Sequence, residues 1–184
     1  RTFPRCGIPG TFRDWTEYAR FIDDLKAFGS VVEATQLWWS VRPHHAFGTV
    51  EVRICDAQTT AAESTGMAGL MTAVVAQTAI DLDEGRLDGE EPLRGRQIEE
   101  NLWRAIRYGM DGKMIDFRGR REIETRQLLE EVIEWTGPAR HKLGIEVELP
   151  DLNGAQRMRL DLESGKPIEE IYRETVAETA HSYA

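Results

Sequence analysis

Residues 47–56 read Phe-Gly-Thr-Val-Glu-Val-Arg-Ile-Cys-Asp, a stretch in which apolar and polar side chains alternate. This alternation predicts a β-strand over Thr49–Cys55, because successive side chains of a strand point to opposite faces. The apolar face contains Val50, Val52 and Ile54. We expect that face to pack against apolar structure. The other face would present Glu51 and Arg53 as neighbours, a carboxylate beside a guanidinium.

The segment Val31–Val41 is rich in β-branched and aromatic residues and predicts a preceding strand. Because Pro43–Gly48 leaves only a short connection, an antiparallel hairpin is the simplest arrangement. Its polar face would bring Arg42 beside Glu51 and Arg53. Such a face suits a site for metal and anions, since Mg²⁺ prefers oxygen ligands and arginine grips carboxylate or phosphate with paired hydrogen bonds. From the alternation alone, a solvated face with weak cross-strand ion pairs is the alternative.

Most of the remaining sequence predicts helices. They are a helix capped by Thr11 and ended by Gly29, one opened by a capping box at Thr60–Glu63 and reaching about Leu82, and others over Gln97–Tyr108, Glu122–Thr136, Ala139–Leu143, Leu152–Leu162 and Pro167–His181. The Thr60 helix has small or apolar residues nearly all round and is expected to be buried on most sides. Gly112–Arg121 is predicted to be a loop. The fold class is therefore α+β, helix-rich, with one antiparallel β-hairpin that contributes to an incomplete sheet.

Composition narrows the class of protein further. The chain has 184 residues and a formal net charge of -9, which argues against a nucleic-acid partner. No apolar run approaches the roughly 18 residues of a membrane span, so no membrane partner is predicted. The two cysteines fit a reducing cytoplasm. The length predicts one domain over 1–184, and the first residue is Arg1 rather than Met, as if the chain were cut from a longer one.

The hairpin and three further segments carry a resemblance to a known family. The hairpin pattern Trp-Trp-x-x-Arg-Pro, a short loop and Gly-Thr-x-Glu-x-Arg is matched by Trp38, Trp39, Arg42, Pro43, Gly48, Thr49, Glu51 and Arg53. The further segments are Phe3-Pro4-Arg5 with Gly7-Ile8-Pro9, Asn101–Gly109 and Gly154–Arg157. Together they resemble the GCS2 family, the glutamate–cysteine ligase-like carboxylate–amine ligases of the glutamine synthetase superfamily. The resemblance covers most of the chain.

The resemblance implies an enzyme that uses ATP and Mg²⁺ to activate the γ-carboxylate of glutamate as an acyl phosphate. An amine, typically that of cysteine, would then attack this intermediate. By the same resemblance Glu51 would be a metal ligand in the nucleotide site. Arg53 would hold a substrate carboxylate or the transferring phosphoryl group, with Arg42 as a second anion-binding group. Arg104, on the predicted Gln97–Tyr108 helix, would be either a phosphate contact or a structural arginine.

The family's catalytic unit is longer than this chain, and its N-terminal half, with a Gly-x-Glu-x-Glu strand of further metal carboxylates, is absent here. The resemblance therefore implies that 1–184 is the C-terminal portion of a single catalytic domain and is inactive by itself. Exposed edges of an incomplete sheet predict association, for example as a homo-oligomer, or poor solubility. Two alternatives stay open: a non-catalytic, helix-rich interaction or regulatory module with a ligase-like shape, and phosphoryl transfer to a guanidino group.

Overall fold

The computed structural model describes residues 5–44 and 46–184, and it confirms the α+β class. The helices of these residues are α1 Trp15–Ala27, α2 Ala61–Asp83, α3 Gly95–Tyr108, α4 Thr125–Trp135, α5 Gly137–Leu143, α6 Gly154–Glu163 and α7 Ile168–Ser182. The strands are β1 Cys6–Gly7, β2 Trp38–Trp39, β3 Val41–His44, β4 Thr49–Val52, β5 Lys113–Asp116 and β6 Arg121–Glu124. The strands pair only two by two within these described residues: β1 with β2 in parallel, β3 with β4 in antiparallel, and β5 with β6.

The described residues group into two compact units. The first comprises the described residues up to Cys55 together with Glu91–Arg107 and Ile115–Arg121. The second comprises Asp56–Glu90, Tyr108–Met114 and Glu122–Ala184. Helix α1, strands β1 to β4 and nearly all of α3 belong to the first unit, and helices α2 and α4 to α7 belong to the second. That 1–184 forms one domain stays a prediction.

The core of the first unit lies between α1 and the segment that follows it. Its buried members are Tyr18, Ile22, Val31, Leu37 and Trp39. Helix α1 is capped by Asp14, whose carboxylate accepts a hydrogen bond from the Glu17 N–H at 2.8 Å, and not by Thr11 as the sequence suggested. The predicted end is confirmed, because Gly29 adopts the left-handed φ of 66° just beyond the helix.

The predicted strand Val31–Val41 is wrong, because tertiary burial and local hydrogen bonds break it into pieces. The side chain of Gln36 accepts a hydrogen bond from the Val32 N–H at 2.6 Å, and a 3₁₀ turn forms over Ala34–Gln36 in place of an extended ladder. Leu37, which is fully buried, anchors that turn in the core. Strands β2 and β3 follow as short separate elements.

The hairpin exists, but its limits differ from those predicted. Val41 pairs with Val52 and His44 pairs with Thr49, so Pro43 and His44 belong to a strand rather than to the turn. His45, within the predicted turn, lies outside the described residues, as do Phe3 and Pro4 of the family-like pattern. Strand β4 ends at Val52 instead of Cys55, although the Arg53 N–H still donates to the Ser40 carbonyl at 2.7 Å.

Helix α2 organises the second unit. Its predicted capping box is confirmed: the Thr60 hydroxyl accepts the Glu63 N–H at 3.2 Å, and the Glu63 carboxylate accepts the Thr60 N–H at 3.0 Å. Only one face is buried, so the expectation of burial on most sides is wrong. The buried stripe is Glu63, Gly66, Leu70, Ala73, Gln77 and Asp81. A Cβ at Gly66 would lie 2.1 Å from the Glu148 carbonyl oxygen, so only glycine allows this close approach.

In the described part of the chain, α2 is also the one helix long and apolar enough, by length and composition, to cross a membrane. The expectation that no apolar run approaches this length is therefore wrong by that measure. The core helix of a folded domain passes the same test, and 28% of the apolar window is buried here. The buried Gln77 and Asp81 of α2 form hydrogen bonds within the second unit, which is how a core helix satisfies its polar groups.

The predicted loop Gly112–Arg121 instead contains strand β5 and the start of β6. The turn between these strands is held by Asp116, whose carboxylate accepts the N–H groups of Arg118 at 3.1 Å and Gly119 at 2.8 Å. Helix α4 consequently begins at Thr125 and not at Glu122. An aspartate followed by a glycine three residues later is a turn signal, and it indicates where this hairpin reverses.

Candidate functional site

The β3–β4 register brings together three of the four predicted site residues. Arg42 lies directly opposite Glu51 in the antiparallel pair, so their side chains share a face. Arg53 follows two residues after Glu51 and lies on that face as well, with its Nη1 3.6 Å from Glu51 Oε1. Two guanidinium groups therefore flank one carboxylate, which leaves one net positive charge at this face.

The two oxygens of the Glu51 carboxylate have different surroundings. Oε2 accepts a hydrogen bond from Arg42 Nε at 3.0 Å and a second, shorter one from Arg42 Nη2. Oε1 faces Arg53 at an ion-pair distance that is too long for a hydrogen bond. The side chains of Glu51 and Arg53 are 36% and 40% exposed. The cluster therefore has a closed end at Oε2 and an accessible end at Oε1 and Arg53.

Arg42 forms the closed end of this cluster. It is only 5% exposed, and its Nη1 donates to the carbonyl oxygen of Leu37 at 2.8 Å and to that of Thr35. The same buried region contains Tyr18. Burial raises the pKa of the Tyr18 hydroxyl, and the nearby charge of Arg42 partly opposes that rise. Arg42 is thus a buried cation whose partners come from both Glu51 and the 3₁₀ turn.

The opposite face of the hairpin does not pack as predicted. Val50 is 49% exposed and Ile54 is 45% exposed, so the expectation that this face is covered by apolar structure is wrong for the described residues. An apolar groove of about 280 Å³ lies within the first unit. Its lining includes Phe12, Trp15, Trp39, Val41 and Pro43. Because Val41 and Pro43 alternate with Arg42, the groove and the charged cluster lie on opposite faces of β3.

Arg104 lies on α3, where its Nε bonds to Glu100 Oε1 at 3.2 Å, one helical turn away. Its side chain is partly exposed, and its role as a phosphate contact stays a prediction. Its helix neighbour Asn101 has a clearer role that sequence reasoning missed. The Asn101 amide accepts from the Ile115 N–H at 2.8 Å and donates to the Ile115 carbonyl at 2.9 Å, and so it mimics a strand partner for β5.

The described residues include no group of three or more His, Cys, Asp or Glu side chains that could hold a metal ion. Glu51 could nevertheless supply one ligand through Oε1, because only Oε2 is occupied by hydrogen bonds. Nucleotide-bound Mg²⁺ is usually held by one or two carboxylates together with phosphate oxygens and water. The donor set therefore fits a single protein ligand to Mg²⁺ but does not form a complete metal site.

Comparisons with known proteins point to one family. The family described as "Glutamate-cysteine ligase family 2(GCS2)" matches residues 1–179 of this chain. A protein of Sorangium cellulosum (strain So ce56), named "Putative glutamate--cysteine ligase 2", is 40% identical over 149 residues, which are 81% of this chain and 39% of that protein. A protein of the same name from Solibacter usitatus (strain Ellin6076) is 35% identical over 184 residues, covering 94% of this chain and 47% of its own length.

A third relative of that name, from Chloroflexus aurantiacus (strain ATCC 29366 / DSM 635 / J-10-fl), is 37% identical and covers 80% of this chain but 37% of its own length. The chain thus spans less than half the length of these curated relatives. Which portion of them it represents stays a prediction. The names support a glutamate–cysteine ligase-like function and a ligase-like enzyme at the level of the family. With a match over 1–179 that includes the Arg42–Glu51–Arg53 hairpin, the chain belongs to glutamate–cysteine ligase family 2.

Proposed function

We propose that the protein carrying this chain is an ATP-dependent carboxylate–amine ligase. An oxygen of the γ-carboxylate of glutamate attacks the γ-phosphorus of ATP. ADP is the leaving group, and glutamate becomes an acyl phosphate. The amine of cysteine, or a similar amine, then attacks the acyl carbon, and phosphate leaves. The observation that carries the proposal is the grouping of Arg42, Glu51 and Arg53 on one hairpin face in a chain of this family.

Arg53 is the group best placed to contact a substrate anion. Its side chain is 40% exposed, and the 3.6 Å separation between its Nη1 and Glu51 Oε1 is too long for a hydrogen bond. Its donors can therefore grip the glutamate carboxylate or the transferring phosphoryl group with paired hydrogen bonds. A charge fixed there stabilises the negative charge that develops in the transition state. The net positive charge of this face attracts anions locally although the whole chain carries -9.

Glu51 and Arg104 would act on the nucleotide side. Glu51 Oε1 would be one ligand to Mg²⁺, and the remaining ligands would be phosphate oxygens, water and groups outside this set of described residues. When bound, the ion neutralises charge on the ATP phosphates. Arg104 would contact a phosphate. Its hydrogen bond to Glu100 would then be either lost or kept alongside the phosphate contact. We further propose a cytoplasmic homo-oligomer acting on small molecules, with neither nucleic acid nor membrane as partner.

The test uses the full-length protein encoded by the reading frame that contains this chain. ADP release is measured with ATP, Mg²⁺, glutamate and cysteine. Arg53→Ala and Glu51→Ala should each lower turnover by about 100-fold or more, the loss typical when a charge-stabilising group is removed. Arg13→Ala is the control, because Arg13 is a largely exposed arginine before α1 and should leave turnover unchanged. Full turnover in Arg53→Ala or Glu51→Ala would contradict the assigned roles.

The same assay separates the ligase from its alternative. A non-catalytic module predicts no ADP release that depends on glutamate and Mg²⁺, even in the full-length protein. The ligase hypothesis predicts such release in the full-length protein and none in the isolated 184 residues, where Glu51 is the one metal ligand proposed among the described residues. Turnover by the isolated chain would contradict the second half of this prediction.

A further inference from the structure

Arg42 differs from Arg53 in how completely its hydrogen-bond donors are used. All three of its guanidinium nitrogens donate to protein oxygens: Nε and Nη2 to Glu51 Oε2, and Nη1 to the carbonyls of Thr35 and Leu37. The residue is 5% exposed, whereas the Arg53 side chain is 40% exposed. A ligand that approached the accessible end of the cluster would therefore meet Arg53 and Glu51 Oε1 before it met Arg42.

The position of Arg42 is fixed by two separate pieces of backbone. The hairpin register sets it opposite Glu51. The 3₁₀ turn Ala34–Gln36, anchored by the fully buried Leu37, presents the two carbonyls that Nη1 binds. Carbonyls at the end of such a turn lack helical partners, and Arg42 Nη1 satisfies the carbonyls of Thr35 and Leu37. Arg42 thus joins the core of the first unit to a single oxygen of the Glu51 carboxylate.

From these contacts we infer that Arg42 is a positioning residue, which fixes Glu51 Oε2 so that Oε1 and Arg53 face the substrates, and that Arg42 itself touches none of them. The inference rests on the proposed function and replaces the expectation that Arg42 is a second anion-binding group. A lysine at this position would keep the charge, but its single nitrogen cannot reach Glu51 and both carbonyls together. Geometry and charge can therefore be separated by one substitution.

The first experiment compares kcat and KM in the full-length protein. Arg42→Lys should lower kcat by about 10-fold or more and leave the KM for glutamate and for ATP within about 2-fold, because the ligand contacts are intact. Arg53→Lys should raise the KM for glutamate. Arg157→Lys is the matched control, since Arg157 also bonds a buried glutamate, Glu63, but in the second unit. A raised KM in Arg42→Lys, comparable to that in Arg53→Lys, would overturn the inference.

The second experiment is a double-mutant cycle between Arg42 and Glu51. If Arg42 acts only through Glu51, Arg42→Lys should change kcat by less than about 2-fold in a Glu51→Gln background, whereas independent ligand contacts would multiply the two losses. Glu51→Asp, which shortens the carboxylate at a partly exposed position, should reproduce the kcat loss even if Arg42→Lys folds poorly. Independent, multiplying losses would refute the positioning role.

A third readout does not depend on turnover. The same four proteins are compared by thermal unfolding, and the loss of Tm on Arg42→Lys should shrink in the Glu51→Gln background, because the two side chains share one contact. Glutamate binding measured by calorimetry should be unchanged in Arg42→Lys and weakened in Arg53→Lys. Additive Tm losses, or weaker binding in Arg42→Lys, would overturn the inference, while absent turnover in the unsubstituted protein would overturn only the proposed function.

Discussion

Each unit contains a buried charged side chain that forms several hydrogen bonds, Arg42 in the first and Asp81 in the second. The two hydrogen-bond networks differ in how completely their carboxylate oxygens are satisfied within the protein. In the second unit Asp81 is 4% exposed, and its Oδ1 accepts from Gln77 Nε2 at 2.8 Å and from Arg86. Its Oδ2 accepts from Trp135 Nε1 at 2.8 Å. The other end of Gln77 is also bound, because its Oε1 accepts the Ala139 N–H at 3.1 Å. Both oxygens of the buried carboxylate are thus satisfied within the protein.

The network of the first unit is closed at one end only. Glu51 Oε2 is held by the buried Arg42, while Oε1 and Arg53 stay accessible and are not hydrogen-bonded to each other. A satisfied buried network contributes to stability and to a unique arrangement of helices. A network with one preorganised open end can instead bind a charged ligand without rearrangement. The contrast indicates a stabilising role for Asp81, and it agrees with the roles proposed above for Glu51 and Arg53.

The largest expected effect on stability comes from opening the closed network. In Asp81→Asn, the side-chain NH₂ group would replace one carboxylate oxygen and face the N–H donor of Gln77 or of Trp135. Two donors would then point at each other, and a buried donor would lack an acceptor. We expect the Tm of the protein to fall by about 5 °C or more. Arg53→Gln should change the Tm by less than about 2 °C, because Arg53 is exposed and makes one long ion pair. Equal Tm shifts in the two variants would remove the contrast.

Low pH should reduce the stability that the Asp81 network contributes. Burial raises the pKa of Asp81, but the hydrogen bonds from Gln77 and Trp135 and the charge of Arg86 outweigh it and hold the pKa below the ordinary 3.8. A carboxylate whose pKa is lower in the folded state contributes stability above its unfolded pKa, and this stability is lost as the pH falls through the folded value. The Tm of the protein should therefore decline as the pH falls below about 3.8.

The control for this acid effect is Asp81→Asn, in which the titrating group is gone. Its Tm should be lower near neutral pH and should decline less steeply in acid than that of the unsubstituted protein, as measured by circular dichroism between about pH 6 and about pH 2.5. Glu63 contributes in the same direction, because its bonds to Arg157 and Thr60 outweigh burial and lower its pKa below 4.5. A steeper acid decline in Asp81→Asn would contradict the assignment.

These two networks also show what a sequence can and cannot predict. The Arg42–Glu51 pairing was predictable, because both residues belong to a short hairpin whose register follows from local spacing. Asp81 was not identified, since Trp135 lies 54 residues away and only the folded chain brings the two together. A signal was present nonetheless: Gln77 and Asp81 are polar residues in the largely apolar C-terminal half of the helix, and their spacing of four residues places them on one face.

The predicted strand Val31–Val41 failed for a related reason. Its β-branched and aromatic composition favours a strand, but burial of Leu37 and the bond from the Val32 N–H to Gln36 decide the local conformation. The partners of Arg42 in that turn were therefore hidden from the sequence, and only its contact with Glu51 was foreseeable. Capping boxes, in contrast, depend on four consecutive residues, and the one at Thr60 was predicted correctly.

A smaller loss of stability than that of Asp81→Asn is expected at that capping box, at the other end of α2 from Asp81. Thr60→Ala removes the acceptor of the Glu63 N–H and should lower the free energy of unfolding by about 1 kcal/mol, measured by urea denaturation. Thr60→Ser keeps the acceptor and should recover most of that loss. Glu63 keeps its bonds to the Thr60 N–H at 3.0 Å and to Arg157 at 2.6 Å in both variants, so the carboxylate stays satisfied.

The contrast between the two networks depends on Asp81→Asn being much more destabilising than Thr60→Ala. If Thr60→Ala destabilised the protein as much as Asp81→Asn, loss of any single bond along α2 would be equally costly. The complete set of hydrogen bonds around Asp81 would then not account for the loss of stability in Asp81→Asn. A loss near 1 kcal/mol for Thr60→Ala, beside a much larger one for Asp81→Asn, would instead indicate that the cost follows burial of the orphaned group. By that criterion Oε1 of Glu51, accessible beside Arg53, can stay without a hydrogen bond at little cost in stability.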